Sequence, residues 1–283
     1  MSNIAIYTPN QRLKVGFFKT LYTMLKNIVK SKELIWQLFR RDFFMAYKKS
    51  FFGLTWILIS PIIGILSWVF LNFAGVLNPG ETAIPFPAYV LLGSSIWGLF
   101  MGFYSASAGT LSAGSSFINQ VKYPHEALLV KQVAQHLANF SVSLVLNILV
   151  LLLFGIVPTI WILFLPVIIL PLFFIGAGLG LVVSVLSVVA TDISNIINIL
   201  LGFVFYATPI VYQLDKIENP LLRSIVQLNP LSYLVTGIRD LITIGEIQYI
   251  DRFIVITLLS FIFFLLSWRL FYVAEDKVIE RMI

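Results

Sequence analysis

Long apolar runs separated by short polar stretches dominate the chain from residue 54 to residue 272. A helix needs roughly 20 mostly apolar residues to cross the hydrocarbon of a bilayer. Six runs are of that order: Leu54–Val76, Pro87–Leu111, Val133–Ile156, Trp161–Ala190, Ile193–Tyr212 and Phe253–Tyr272. An isolated strand in lipid would leave its backbone unpaired, so each run is read as a helix. The pattern predicts an all-α integral membrane protein with six transmembrane helices. The fourth run is long enough to tilt, or to bend at Pro166 and Pro171.

Three stretches depart from this pattern. Ahead of the first run, Trp36, Phe39, Phe43 and Tyr47 recur at helical spacing, among the polar positions Lys32, Glu33, Arg40, Arg41 and Lys48. This predicts an amphipathic helix in the membrane interface, either a surface anchor or a contact for a partner. Between the second and third runs, 113–130 is long enough for a short helix that Pro124 breaks or follows with another. It reads as an ordinary loop or as a docking helix. Between the fifth and sixth runs, 213–250 is neither polar like a loop nor unbroken like a span. Its apolar pieces Pro220–Leu228 and Leu231–Ile244 part at Asn229-Pro230, where the residue before proline disfavours helix. Two short re-entrant helices satisfy this pattern, and so does a small cap. The predicted organisation is therefore residues 1–53 as an N-terminal region, 54–272 as a transmembrane domain and 273–283 as a tail.

Charge orients the bundle. All but four of the 19 Lys and Arg lie before the first run, between the second and third, or at the end of the sixth; the four are Lys216, Arg223, Arg239 and Arg252. Positive residues favour the cytoplasm, which predicts a multi-pass inner-membrane protein with both termini inside. Lysines scattered between Arg12 and Lys30 leave no uninterrupted apolar core for a signal peptide. Composition agrees with a lipid environment. Apolar residues make up 59% of the chain and charged residues 11%, against about 25% charged in a soluble domain. The net charge of +6 is placed at the ends, in the loops and at the edge of the sixth run, so membrane and partners, with no nucleic acid, are its expected counterparts. The absence of cysteine excludes disulfides, thiolate metal sites and thiol nucleophiles.

Little in the chain suggests catalysis or a metal site. There is no Walker A sequence, and none of the six cores holds a carboxylate, which disfavours both nucleotide hydrolysis and a proton- or sodium-driven carrier. Gly176-Ala177-Gly178-Leu179-Gly180 lies mid-span without a preceding soluble strand, so its glycines are expected to let helices approach closely. Gln132, Gln135, His136, Asn139, Ser143 and Asn147 share roughly one helical face. They are expected to point into the bundle or toward water, through hydrogen bonds between helices or as pore lining. Trp56, Trp68, Phe70 and Phe73 in the first span, and Phe203, Phe205 and Tyr206 in the fifth, are candidates to line a glycan path, since sugar C–H faces lie against aromatic rings. The alternative for each is contact with lipid.

The junction Arg40-Arg41-Asp42-Phe43-Phe44-Met45-Ala46-Tyr47-Lys48-Lys49-Ser50-Phe51-Phe52-Gly53-Leu54-Thr55-Trp56, followed by Ser60-Pro61, resembles the start of the permeases of bacterial polysaccharide exporters in the ABC type 2 family. Asn229-Pro230-Leu231-Ser232-Tyr233 with Arg239 resembles that family's segment between spans five and six. Lys122-Tyr123-Pro124 with Glu126 resembles its cytoplasmic loop, where Phe more often precedes the proline and a basic residue stands in place of His125. The resemblance covers residues 31–272. It implies two copies of this chain and two ATPase subunits, which would bind ATP and Mg²⁺, with no cofactor in this chain. It implies a conduit for an undecaprenyl-linked polysaccharide: O antigen, capsule or teichoic acid. It assigns ATPase coupling to Trp36, Arg40, Arg41, Asp42 and Tyr47 and to Tyr123, Pro124, His125 and Glu126, and re-entrant helices to the segment holding Asn229, Pro230 and Arg239. Arg40, Arg41, Lys48 and Lys49 are candidates to recruit the carrier's diphosphate. The same architecture is open to an ABC exporter of a lipid or drug. A membrane-embedded polyprenyl-glycan polymerase or transferase needs polar catalytic groups in extended loops, and only Asp215, Glu218, Arg223, Arg239, Asp240, Glu246, Asp251 and Arg252 are available outside; a passive assembly scaffold is the remaining alternative.

Overall fold

The computed structural model describes residues 12, 15–48, 51–77, 79–80, 82–111 and 124–282, and within these the regular structure is entirely helical. Two helices precede the bundle, α1 (Phe17–Lys30) and α2 (Lys32–Lys48). They are followed by α3 (Trp56–Phe73), α4 (Phe86–Ala108), α5 (His125–Leu153), α6 (Leu170–Ser187) and α7 (Asp192–Tyr206). Then come two short helices, α8 (Pro220–Leu228) and α9 (Pro230–Thr243), and the long α10 (Ile250–Met282).

Five segments are long and apolar enough to cross a membrane: Trp56–Phe73, Phe86–Ala108, His125–Leu153, Ile160–Ser187 and Ile250–Ala274. The fifth predicted run forms only α7, whose 15 residues reach about 22 Å at 1.5 Å per residue. The backbone that would have lengthened it, 207–212, turns instead and is largely buried. The fourth run breaks near its prolines: a 3₁₀ stretch at Ile160–Phe164 and a helical turn at Leu165–Ile168, which contains Pro166, precede α6, and Pro171 lies in its first turn. Proline tolerates a first turn and disrupts a helix interior. The third run begins earlier than hydropathy suggests, because Pro124 stands at the N-cap of α5 with extended backbone. The region predicted as a tail continues α10 without a break to Met282.

Helix α4 is the axis of the molecule. In its most apolar stretch 72% of residues are buried, against 6% in α3. Leu91, Leu92, Ile96, Phe100 and Phe103 are among the residues it contributes to the main core. Lipid is as apolar as these side chains, so helix association rests on close packing. The glycines of α6 provide it on two sides. A Cβ at Gly176 would stand 3.0 Å from the Phe100 carbonyl oxygen, and one at Gly180 would stand 2.3 Å from the Tyr104 carbonyl oxygen, both on α4. A Cβ at Gly178 would stand 2.8 Å from the Phe263 ring on α10. The glycine motif is a packing device, as its mid-span position implies.

The N-terminal helices and the C-terminal part of α10 share one end of the bundle. Met24 of α1 is fully buried in a cluster with Leu129, Phe271 and Tyr272. Arg12 donates a hydrogen bond to the Tyr272 carbonyl oxygen (3.1 Å) and stacks over that residue's ring. At the opposite end, α8 and α9 form a cap. Asn229 separates them: its side-chain oxygen accepts from the Leu231 amide (3.0 Å), while its amide nitrogen donates to the Ala207 carbonyl oxygen (3.0 Å) and to Thr208 Oγ1 (2.8 Å). Asn229 thus starts α9 and ties it to the end of α7. Helix α9 is buried along nearly its whole length, including Leu234, Val235 and Ile238.

Candidate functional site

At the end that carries α1 and α2, a charged junction joins α2 to α5. Lys131 Nζ lies 2.9 Å from Asp42 Oδ2, and Arg41 Nε lies 2.7 Å from Asp42 Oδ1. Burial raises the Asp42 carboxyl, but the hydrogen bonds and charges of Arg41 and Lys131 outweigh it, so the group sits below the usual carboxylate range. A turn earlier on α5, Glu126 is buried at 2% exposure and accepts a hydrogen bond from Asn27 of α1 (3.3 Å). His125 is buried beside it. The helix start formed by Pro124, His125 and Glu126 is thus partly covered by the chain's own α1. Trp36, Phe39 and Phe43 stack in sequence along α2, with Trp36 61% exposed and Arg40 exposed on the same helix. Tyr47 lies in the last turn of α2, and Tyr123 and Lys49 lie outside the described residues.

In the middle of the bundle, a groove of about 410 Å³ opens between α3, α4, α5 and α7. One wall is polar, with Ser94 and Ser95 of α4 and His136, Asn139 and Ser143 of α5; another is aromatic, with Trp68, Trp97 and Phe205. The polar face of α5 is divided between a helix contact and the groove. Asn147 is buried and donates to Ser95 Oγ (2.9 Å), joining two helices, while His136, Asn139 and Ser143 face the groove. A Cβ at Gly102 would overlap the His136 ring, so this glycine makes room for the histidine.

The aromatic candidates divide. Trp68 and Phe205 meet at the groove with centroids 6.2 Å apart, and Tyr206 lies 6.4 Å from Trp68. Trp56 packs instead against Phe52 near the start of α3. Phe70, Phe73 and Phe203 are exposed outside the groove, Phe73 at 91%. Trp97, which bridges Phe100 and Phe205, completes the aromatic wall and was not among the candidates. In the sequence, its neighbours Ser94, Ser95 and Gly98 show only a run of small residues, which points to close helix approach and not to a wall.

At the cap, Arg239 of α9 is 3% exposed, lies 3.6 Å over the Tyr89 ring and donates to the Pro209 carbonyl oxygen (3.0 Å). The Tyr89 hydroxyl donates to the Tyr212 carbonyl oxygen (2.8 Å). These bonds join α4, the turn after α7 and α9 into one unit. Burial pushes the Asp240 carboxyl up to about 6, with Arg239 opposing and Asp215 adding to the rise. Burial and a hydrogen bond with Asp215 push the Tyr249 hydroxyl up. Asn229 caps α9 with its side chain, and Pro230 is the first residue of that helix.

Five long apolar helical segments, one of them the buried axis α4, define a multi-pass membrane protein. The sequence profile of the ABC-2 type transporter family matches residues 33–243, from the first turn of α2 to the last residue of α9, and the chain belongs to that family. Its place is that of a transporter's membrane subunit. The O-antigen export system permease protein RfbA of Myxococcus xanthus is 27% identical over 215 residues, covering 76% of this chain and 82% of that protein. Two O-antigen export system permease proteins of Klebsiella pneumoniae are 25% and 23% identical over 215 and 211 residues, each alignment covering 74% of this chain and 80% of the relative.

Proposed function

We propose that this chain is the permease subunit of an ABC exporter that carries an undecaprenyl-linked polysaccharide of the O-antigen type across the inner membrane. The observation that carries this reading is the similarity to O-antigen export permeases over about three-quarters of the chain. The groove suits such a cargo. Its serines and Asn139 offer neutral hydrogen-bonding groups to sugar hydroxyls, and Trp68, Trp97 and Phe205 offer faces to sugar C–H groups.

In this reading both termini are cytoplasmic and α7 is the sixth crossing. The turn 207–212 completes its path within protein, where irregular backbone is tolerated at membrane depth. The helices α8 and α9 are re-entrant from the outer side. Energy comes from two separate ATPase subunits that bind ATP and Mg²⁺. A second copy of the chain lies along α3 and α7, the least covered of the membrane-crossing helices: α7 buries only Leu201 and α3 only Ile57 and Ile65.

The chain's own contribution is to transmit movement and to shape the path. The ATPase pushes on the exposed Trp36 and Arg40 face of α2 and on the loop ahead of α5. Asp42 passes that displacement to Lys131, and α5 carries His136, Asn139 and Ser143 into the groove within the next three to four turns, on the order of 18 Å. A clean deletion tests the cargo: finished lipid-linked polymer is expected to accumulate inside the cell and to disappear from the surface. Normal surface polymer in the deletion strain would overturn the assignment.

A further inference from the structure

A second cavity, of about 390 Å³, lies at the cap between α9, the first turn of α4 and the segments around 213–215 and 244–249. Its size is at the lower end of the roughly 300–1,000 Å³ typical of small-ligand sites, enough for a sugar ring and too small for a polymer. Its floor consists of buried groups, Tyr89, Thr236 and Arg239. Arg239 spends one nitrogen on Pro209 and lays its guanidinium on Tyr89, yet its buried Nε has no hydrogen-bond partner among the described residues. A buried donor without a partner is costly, and a ligand acceptor would relieve it.

The rim supplies the complementary groups. Asp215 is already engaged by Gln248 (2.9 Å) and by the Tyr249 hydroxyl. The side chains of Asp240, Glu246 and Gln213 also line the cavity and have no hydrogen bond among the described residues. Tyr249 is held by an edge contact with Tyr233, centroids 5.6 Å apart, so one aromatic wall is fixed. Carboxylates at the rim disfavour a phosphate, and the guanidinium in the floor disfavours a metal cation. A hydroxylated ring fits both: its hydroxyls donate to Asp240 and Glu246 and accept from Arg239, while its C–H face lies on Tyr249.

We infer that this cavity binds a single sugar ring of the exported glycan on the side of the membrane opposite α2, a contact separate from the central groove. The inference rests on the polysaccharide reading above. In it, the site would hold the emerging chain while the next segment is drawn through.

The test uses the full-length chain in lipid nanodiscs. The probe is a set of short oligosaccharides cut from the same bacterium's surface polysaccharide and freed of lipid, with binding measured by saturation-transfer NMR and calorimetry. The wild type is expected to bind, with Asp240→Asn and Glu246→Gln each weakening binding about tenfold. Glu218→Gln, an exposed acid outside the cavity, is expected to bind like the wild type. Glu246 is itself exposed, so its variant is expected to keep the wild-type unfolding temperature and separates loss of binding from loss of fold. Equal binding by all four proteins, or no binding by the wild type, would overturn the site; if the deletion strain still lacks surface polymer, the export reading survives that failure. Binding of spermidine or calcium in place of the oligosaccharides would overturn it too. Normal surface polymer in the deletion strain would remove the reading on which the site depends.

Discussion

Substituting Gly180 by alanine tests whether contact between α4 and α6 organises the bundle. The added Cβ would stand 2.3 Å from the Tyr104 carbonyl oxygen, 2.6 Å from Ser107 Cβ and 2.9 Å from the Ala108 nitrogen. Relaxed contacts between heavy atoms lie near 3.5 Å, so the helices must separate by roughly 1 Å. Two of the three neighbours are backbone atoms of the central helix, and no side-chain rotation relieves them. Overpacking of this kind costs about 1–3 kcal/mol and sometimes more. Alanine recovers about 1 kcal/mol of helix propensity, which offsets part of the strain. With the strain at the upper end of that range, because backbone atoms cannot yield, the net expectation is a loss of about 2 kcal/mol, or roughly 5 °C in unfolding temperature for a chain of this size. Two other helical glycines, Gly98 and Gly202, have no heavy atom within 4 Å of an added Cβ. Their alanine variants are expected to match or slightly exceed the wild type. The assay is thermal unfolding of the three purified variants in one detergent, followed by loss of the monodisperse elution peak. A Gly180→Ala protein as stable as Gly98→Ala would refute the packing argument.

Other expectations follow from the charged junction and the polar face of α5. The carboxyl of Asp42 is depressed in the folded protein, so its stabilising contribution is present above the ordinary value of 3.8 and is lost as pH falls through its lower native value. Wild type is therefore expected to exceed Asp42→Asn by up to about 1 kcal/mol at neutral pH, partial exposure limiting the gain, and to converge with it once the pH has fallen through the lowered native value; a difference that persisted in acid would contradict this sign. In a double-mutant cycle, Asn147→Leu and Ser95→Ala are expected to show a coupling of about 0.6 kcal/mol, and at most about 1.7, as for hydrogen bonds between membrane helices. Zero coupling would show that the bond of 2.9 Å carries no stability.

Much of this organisation was legible in the sequence because lipid imposes a simple rule on backbone hydrogen bonds. Length and hydropathy located the five long spans, and Asn229-Pro230 located the break between α8 and α9. The glycines of 176–180 announced close packing before any partner helix was known. Hydropathy misplaced the ends where burial in protein replaced burial in lipid. It extended the fifth run to Tyr212, although 208–211 turn inside the protein, and it started the third run after Lys131, although α5 begins at His125. Long-range pairs left no local signal. Lys131 counted only as one more positive charge, and its distance from Asp42 in sequence hid their contact. Likewise, Trp68, Trp97 and Phe205 come together from three helices, and their shared wall depends on how those helices turn. Spacing alone could not separate them from Phe70 or Phe73, which lie outside the groove.

In the proposed function this chain provides the membrane path and a separate ATPase provides the energy. The most direct measurement reconstitutes the chain with its ATPase in sealed vesicles loaded with lipid-linked polysaccharide. Movement of the glycan to the far side is then followed with a lectin or antibody that cannot cross the membrane. The account predicts translocation that requires ATP and both proteins, and that fails when the ATPase carries an inactive nucleotide site. Translocation by this chain alone, or ATP hydrolysis by the intact pair with no movement of the glycan, would contradict it.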